Sequence, residues 1–176
     1  MIIWLTGLSG AGKSTLAEGL VEILRREGMN PLLIDGDGLR EDLCRDLGFS
    51  AKDRMENIRR AGAIALLGAR CEILSICALI SPLRSERDAV RELCKKRGVS
   101  FIEVYVSTPL ETCEMRDVKG LYKKARAGLI SQFTGIDSPY EPPINPELVI
   151  PTEQLEISEA LALLKSKIDE YKLLGS

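Results

Sequence analysis

The sequence predicts an α/β sandwich of three layers, with a mainly parallel central sheet and helices on both faces. Two observations predict it. Short apolar runs alternate with stretches of helical periodicity along nearly the whole chain. At the first junction, the run Ile2-Ile-Trp-Leu5 passes into Gly7-Leu-Ser-Gly-Ala-Gly12-Lys13-Ser14 and then into an amphipathic pattern. That is the phosphate-binding P-loop, G-x-x-x-x-G-K-[ST], in its strand-to-helix setting.

After the loop, Leu16, Leu20, Ile23 and Leu24 mark a helix that Gly28 stops. Pro31 to Ile34 is a short strand ending at Asp35-Gly-Asp37. A polar helix is expected over Leu39 to Asp46, broken by Gly48-Phe49-Ser50. A longer helix follows from about Asp53 to Arg70, capped by Ser50. Ile73 to Ile80 reads as a buried strand, and Ser81-Pro82 as the start of the next helix, which Gly98 stops. Phe101 to Val106 is a strand, and Thr108-Pro-Leu-Glu111 reads as a capping box. Lys119 to Gly135 is rich in Lys, Arg and Gly and shows no strong apolar face. A proline-rich connector, a short strand over Glu147 to Ile150, and a helix marked by Ile157, Leu161, Leu164, Ile168 and Tyr171 complete the chain.

Right-handed crossovers are the default for such units, and ligands bind beyond the carboxyl ends of the strands. The P-loop, Asp35/Asp37 and Ser81 all fall at such ends and are expected to share one crevice. The expected architecture is the P-loop NTPase type, as one domain over residues 1–176, the length prior allowing a single core.

Composition narrows the chemistry. A hydrophobic fraction of 45% with 28% charged residues is that of a folded globular chain. A net charge of −2 gives no global field for nucleic acid or a membrane surface, so neither is expected as a partner. No leader or spanning segment is seen ahead of the P-loop, and the five cysteines stand singly, so the expected setting is a reducing cytoplasm. The chain has no histidine, which removes every Ser-His or Cys-His nucleophile scheme.

In a P-loop, the backbone from Gly7 through Leu8, Ser9, Gly10, Ala11, Gly12 and Lys13 to Ser14 and Thr15 cradles phosphates. Lys13 belongs on the β- and γ-phosphates and the Ser14 hydroxyl on Mg²⁺, so ATP and Mg²⁺ are the expected ligands. No guanine-reading Asn/Thr-Lys-x-Asp segment is present, which speaks against a GTPase switch. Transfer to a hydroxyl needs a group at the acceptor and positive charge around the moving phosphoryl. Asp37 is the candidate base or hydroxyl-orienting group, the alternative being a helix N-cap. Arg40, Arg54 and Asn57, with Arg59 and Arg60 beside them, are candidates for an anion clamp or for a solvated basic face.

Several blocks then match one family. Asp35-Gly-Asp-Gly-Leu-Arg40, Asp46-Leu-Gly-Phe-Ser50, Asp53-Arg-Met-Glu-Asn-Ile-Arg-Arg60, Ile80-Ser-Pro82, Arg116-Asp-Val-Lys-Gly-Leu-Tyr-Lys123 and Phe133-Thr-Gly-Ile-Asp-Ser-Pro-Tyr-Glu-Pro-Pro143 resemble adenylylsulfate kinase (APS kinase) collinearly from Ile3 to about Ile150. The resemblance implies transfer of the γ-phosphoryl group of MgATP to the 3′-hydroxyl of adenosine 5′-phosphosulfate in sulfate activation. It implies that Asp37 faces that hydroxyl and Mg²⁺, that Arg40, Arg54 and Asn57 bind the phosphosulfate end, and that Phe49 and Phe133 sandwich the acceptor adenine. Ile80 and Ser81 match substrate contacts. Ser81 is also the family's described phospho-serine, although Ser before Pro reads more simply as a helix cap. Arg116 matches the holder of the ATP adenine. A mobile lid over about 117–135 would bring Lys119, Lys123, Lys124 and Arg126 over the substrates. A homodimer is the implied assembly. Glu72 stands where the family often has Gly, and Leu83 where it usually has an aromatic residue. The competing readings are a kinase for another small hydroxyl acceptor and a catalytically silent nucleotide-sensing module. Intact Gly12, Lys13, Ser14 and Asp37 speak against the last.

Overall fold

The computed structural model describes residues 1–174. Five strands form one sheet in the order β2-β3-β1-β4-β5, and every pairing is parallel. They are β1 (Ile2–Thr6), β2 (Leu32–Asp35), β3 (Ser75–Ala78), β4 (Phe101–Val106) and β5 (Leu148–Ile150). The helices are α1 (Lys13–Arg26), α2 (Gly36–Glu41), α3 (Ala51–Arg70), α4 (Arg84–Lys96), α5 (Leu110–Arg116), α6 (Leu121–Arg126) and α7 (Ile157–Leu174).

β1 is central and wholly buried, as a strand covered on both faces must be. Its side chains alternate between two cores. Ile3 and Leu5 join Leu16, Leu20 and Leu24 of α1 and Leu164 and Ile168 of α7. Ile2 and Trp4 join Ile58, Ala61 and Ala65 of α3 and Val90 and Cys94 of α4. The expected layers are therefore present. Among the described residues no helix is long and apolar enough to cross a membrane.

Several local expectations are corrected. α2 spans Gly36–Glu41, earlier than Leu39 to Asp46, because the Asp35 carboxylate accepts from Asp37 N and starts the helix at the strand end. Thr108 forms no capping box, since its hydroxyl turns to the P-loop and donates to Ala11 O at 3.0 Å. Ser81 does not cap α4. That helix starts at Arg84 after Leu83, while Ser81 takes φ +39°. Segment 117–135 contains α6, with Tyr122 and Ala125 buried, so an apolar face too short for a periodicity signal does exist there. The Ser50 cap of α3 is as expected, accepting from Asp53 N at 3.2 Å.

An unusual backbone at Ser81 is held from behind. Its Oγ accepts the Trp4 indole N–H at 3.0 Å, and its carbonyl accepts from Arg87 Nη1 at 2.6 Å. Arg87 is 1% exposed and pairs with Glu103 at 2.7 Å, while its Nη2 donates to Glu141 O at 2.7 Å. A buried guanidinium satisfied this fully ties the β3 end to the proline-rich connector.

Candidate active site

The carboxyl ends of β1, β2 and β3 open into a cavity of about 910 Å³, roofed by segment 116–134. Five basic side chains (Lys13, Arg40, Arg54, Arg116, Lys119) line it against three acidic ones (Asp35, Asp37, Asp117). In a chain of net charge −2, that local excess of positive charge suits polyanions. A shallower recess of about 570 Å³ lies behind Leu8 and Tyr140. Its one ionisable side chain apart from tyrosines, Asp137, is occupied by the Gln132 and Phe133 amides, so it offers nothing to a polyanion.

The P-loop forms one end of the cavity. Gly10 and Gly12 take φ of +74° and +103°, a region open to glycine, and Gly12 is the N-cap of α1. Ser9, Gly10, Gly12, Lys13, Ser14 and Thr15 line the cavity. Gly7, Leu8 and Ala11 do not; Ala11 is fully buried, and the Leu8 carbonyl accepts from Lys13 Nζ at 2.7 Å. Burial pushes the Lys13 ammonium down to about 8, against weaker upward pulls from Cys113, Asp35 and Asp37.

The Ser14 hydroxyl donates to Asp35 Oδ1 at 2.8 Å, while Asp37 is ion-paired with Lys119. Asp35, which the sequence reading placed in the crevice but gave no role, is thus the carboxylate nearest the P-loop serine. A hydroxyl and two carboxylates are hard donors in a number that suits Mg²⁺ completed by phosphates and water, and among the described residues no group of three or more His, Cys, Asp or Glu is placed to hold a metal ion by itself.

At the other end, Arg40, Phe49, Arg54, Asn57, Ile80, Ser81, Lys119 and Phe133 all line the same cavity. Arg54 donates to Phe49 O at 2.9 Å and also to Gln132 O and Thr134 Oγ1. Burial, then the neighbouring Arg40 charge, lowers its proton affinity. Arg40 lies 4.5 Å from the Phe49 ring centroid and donates to Gly48 O. Phe49 is 64% exposed, an unusual placement for a large apolar ring, in the wall of the cavity. Phe133 meets Tyr122 edge-on at 5.0 Å. The Asn57 side chain is buried, and its Oδ1 has no hydrogen-bond partner among the described residues.

Some candidates lie elsewhere. Arg59 and Arg60 are spent on Glu56 and Asp46, which is the solvated basic face. Lys123, Lys124 and Arg126 do not line the cavity, and Arg126 pairs with Glu114. Arg116 does line it, with its guanidinium bonded to Thr152. Sequence reasoning missed Tyr122, whose hydroxyl donates to Ser9 O of the P-loop at 2.9 Å. It also missed the contacts of Thr108 and Thr152 with the Ala11 carbonyl, Thr108 having read as a capping residue and Thr152 carrying no motif signal.

The sequence pattern of the adenylylsulphate kinase family matches residues 1–151. An adenylyl-sulfate kinase of Shewanella amazonensis is 55% identical over 174 residues, covering 99% of this chain and 85% of that protein. The structure of a Mycobacterium tuberculosis APS kinase in complex with AMPPNP and APS superposes with a TM-score of 0.92 at 45% identity, covering 96% of both chains. A hexameric APS kinase from Thiobacillus denitrificans superposes at 0.69 with 31% identity, over 97% of this chain and 29% of that one.

Proposed function

The chain belongs to the adenylylsulfate kinase family, and we infer that it transfers the γ-phosphoryl group of ATP to the 3′-hydroxyl of adenosine 5′-phosphosulfate, giving 3′-phosphoadenosine 5′-phosphosulfate and ADP. The observation that carries this reading is one cavity with a phosphate loop at one end and Arg40, Phe49, Arg54 and Phe133 at the other. Two adenine nucleotides need that combination: amides and a lysine for the first, flat rings and guanidinium groups for the second.

In this reading ATP lies along the P-loop with its adenine beside Arg116. Lys13 leaves the Leu8 carbonyl for the β- and γ-phosphate oxygens, where charge shifts during transfer. Ser14 with Asp35 and Asp37 would hold Mg²⁺, which when bound neutralises phosphate charge and aligns the γ-phosphorus. Asp37 orients the 3′-hydroxyl and takes its proton. A loose transition state asks little more of a base. Ser81 contacts the acceptor and is no nucleophile: its hydroxyl already accepts the Trp4 N–H, and no histidine exists to activate it.

The chain acts as one P-loop kinase domain whose lid, about 117–135, excludes water and so keeps ATP from hydrolysis. Tyr122 and Lys119 tie that lid to Ser9 and Asp37 across the cavity. The working site is the cytoplasm and the assembly a homodimer; the hexameric relative makes oligomer size a matter for measurement by light scattering.

The test is incubation with ATP, Mg²⁺ and adenylylsulfate, with the nucleotides identified. ADP and the 3′-phosphorylated product must appear together. Equal rates with gluconate or a nucleoside as acceptor, or no turnover at all, would overturn the reading.

A further inference from the structure

Ala11 has its carbonyl turned out of the P-loop, away from the cavity. Two hydroxyls meet it there: Thr108 Oγ1 at 3.0 Å and Thr152 Oγ1 at 3.2 Å. The two hydroxyls also bond to each other. Arg116 completes the group, with Nη1 donating to Thr152 Oγ1 at 3.3 Å and Nη2 to Thr152 O at 3.2 Å. Thr108 follows β4, Thr152 follows β5 and Arg116 ends α5, so three separate segments converge on one P-loop carbonyl.

Counting protons gives the group a direction. A guanidinium only donates, and each hydroxyl has one proton to give. Arg116 therefore donates into Thr152, and the two threonine protons run toward Ala11 O, one from each hydroxyl or one relayed through the other. Bonds aligned this way polarise one another. The peptide plane carries the effect across. Ala11 O and the Gly12 N–H belong to one planar unit and point in opposite directions. Pinning the carbonyl outward fixes the Gly12 N–H inward, and loading that carbonyl makes the N–H a better donor. Gly12 needs such help: it sits at φ +103° and caps α1 with no side chain of its own. The Thr152 methyl packs 3.8 Å from the position a Gly12 Cβ would take.

We propose that Thr152 is a positioning residue for the nucleotide: through the Ala11 carbonyl, which it bonds directly and by way of Thr108, it aims the Gly12 N–H at phosphate, and through both of its oxygens it holds Arg116 at the adenine. This rests on the nucleotide site read above. Thr152 itself does not line the cavity and touches no substrate.

Thr152→Val removes the hydroxyl and keeps the shape and the backbone carbonyl. The expected result is a rise in KM for ATP of about fivefold, the weight of one such bond, with KM for adenylylsulfate unchanged. Thr152→Ser restores both to within about twofold of the parent. Thr108→Val, which removes the other hydroxyl on that carbonyl, raises KM for ATP too, and the double variant departs from the product of the two single effects because the hydroxyls also bond each other. An unchanged KM for ATP in Thr152→Val overturns the proposal, as does a parallel rise in both KM values. Arg116→Ala separates the two levels. If it raises KM for ATP while Thr152→Val does not, only this inference falls. If neither variant changes KM for ATP, the nucleotide site itself has been misread.

Discussion

The two ends of the cavity are built on different terms. The phosphate-loop end is backbone, seated on a fully buried strand and tied by Thr108 and Thr152 to the neighbouring strand ends. The acceptor end consists of side chains on α2, α3, the loop between them, the β3 end and the roof segment, several of which bond to one another. Arg54 bonds to Phe49 O and Gln132 O, Arg40 covers Phe49, and Lys119 pairs with Asp37. The first end needs no rearrangement to receive phosphate except a swing of Lys13. The second must exchange internal bonds for bonds to ligand, so its net affinity is a difference between two sets of bonds. Errors at the first end therefore act through ATP, on rate or on its KM, and errors at the second act through the acceptor.

The largest way to break this contrast is Lys13→Ala. Removing a preorganised charge from the transferring phosphoryl costs about 3 kcal/mol or more of transition-state stabilisation, a loss of at least about a hundredfold in kcat/KM. Steady-state kinetics with ATP varied would measure it, and near-normal turnover would end the P-loop assignment. Arg54→Ala comes next. One charge-assisted contact to an anion lost is worth roughly 10- to 100-fold in KM for adenylylsulfate, with KM for ATP held. A matching rise in KM for ATP would show that the two ends are not separable.

The same contrast explains what was legible in the sequence. The P-loop is contiguous, so its glycines, Lys13 and Ser14 were readable in order, and Asp35 and Asp37 announced themselves at a strand end. Ser81-Pro82 misled because local rules favour a cap there, whereas the Trp4 indole and the Arg87 guanidinium claim its hydroxyl and carbonyl. Both partners are distant in sequence, and no local pattern encodes them. α6 was invisible for another reason: six residues hold too little period, and its first turn is fixed by the Asp117 carboxylate accepting the Tyr122 and Lys123 amides. Glu72 is a case where a departure from the family pattern gains a physical meaning. It sits at φ +61° just past α3, a conformation that glycine adopts without strain.

Acidity sharpens the comparison at the donor end. Burial disfavours the Lys13 charge and pushes the ammonium down to about 8, below the usual lysine range. Below pH 8 it is charged with or without ATP, and binding takes up no proton through it. Above pH 8 the free enzyme is neutral there, while polyphosphate restores the charge, so binding takes up a proton and weakens by up to about tenfold per pH unit. The stability sign is the reverse of an ion pair's. The folded value lies below the unfolded one, so the cost of burying the charge is present below pH 8 and relieved as pH rises toward 10.5. Calorimetric ATP titrations at pH 9 in two buffers of different ionisation enthalpy should show uptake approaching one proton, and Lys13→Met should abolish it. Uptake unchanged by that substitution would assign the proton elsewhere.

Tyr122 is where the two ends touch. Its hydroxyl donates to Ser9 O of the phosphate loop, and its ring meets Phe133 of the acceptor end. Burial pushes the phenol well above its ordinary range, so it stays a neutral donor across the working pH. Tyr122→Phe deletes the hydroxyl and keeps the ring. The Ser9 carbonyl lies at a cavity edge that water can reach, so the loss is about 1 kcal/mol, read as a KM for ATP raised roughly fivefold and a Tm lowered by a few degrees. KM for adenylylsulfate stays level, because the edge contact to Phe133 survives. Tyr122→Ala should move both KM values, since it removes the ring as well. If Tyr122→Phe shifts the adenylylsulfate KM as strongly as the ATP KM, the lid communicates through the hydroxyl alone, and the two ends are one mechanical unit with no division at Phe133.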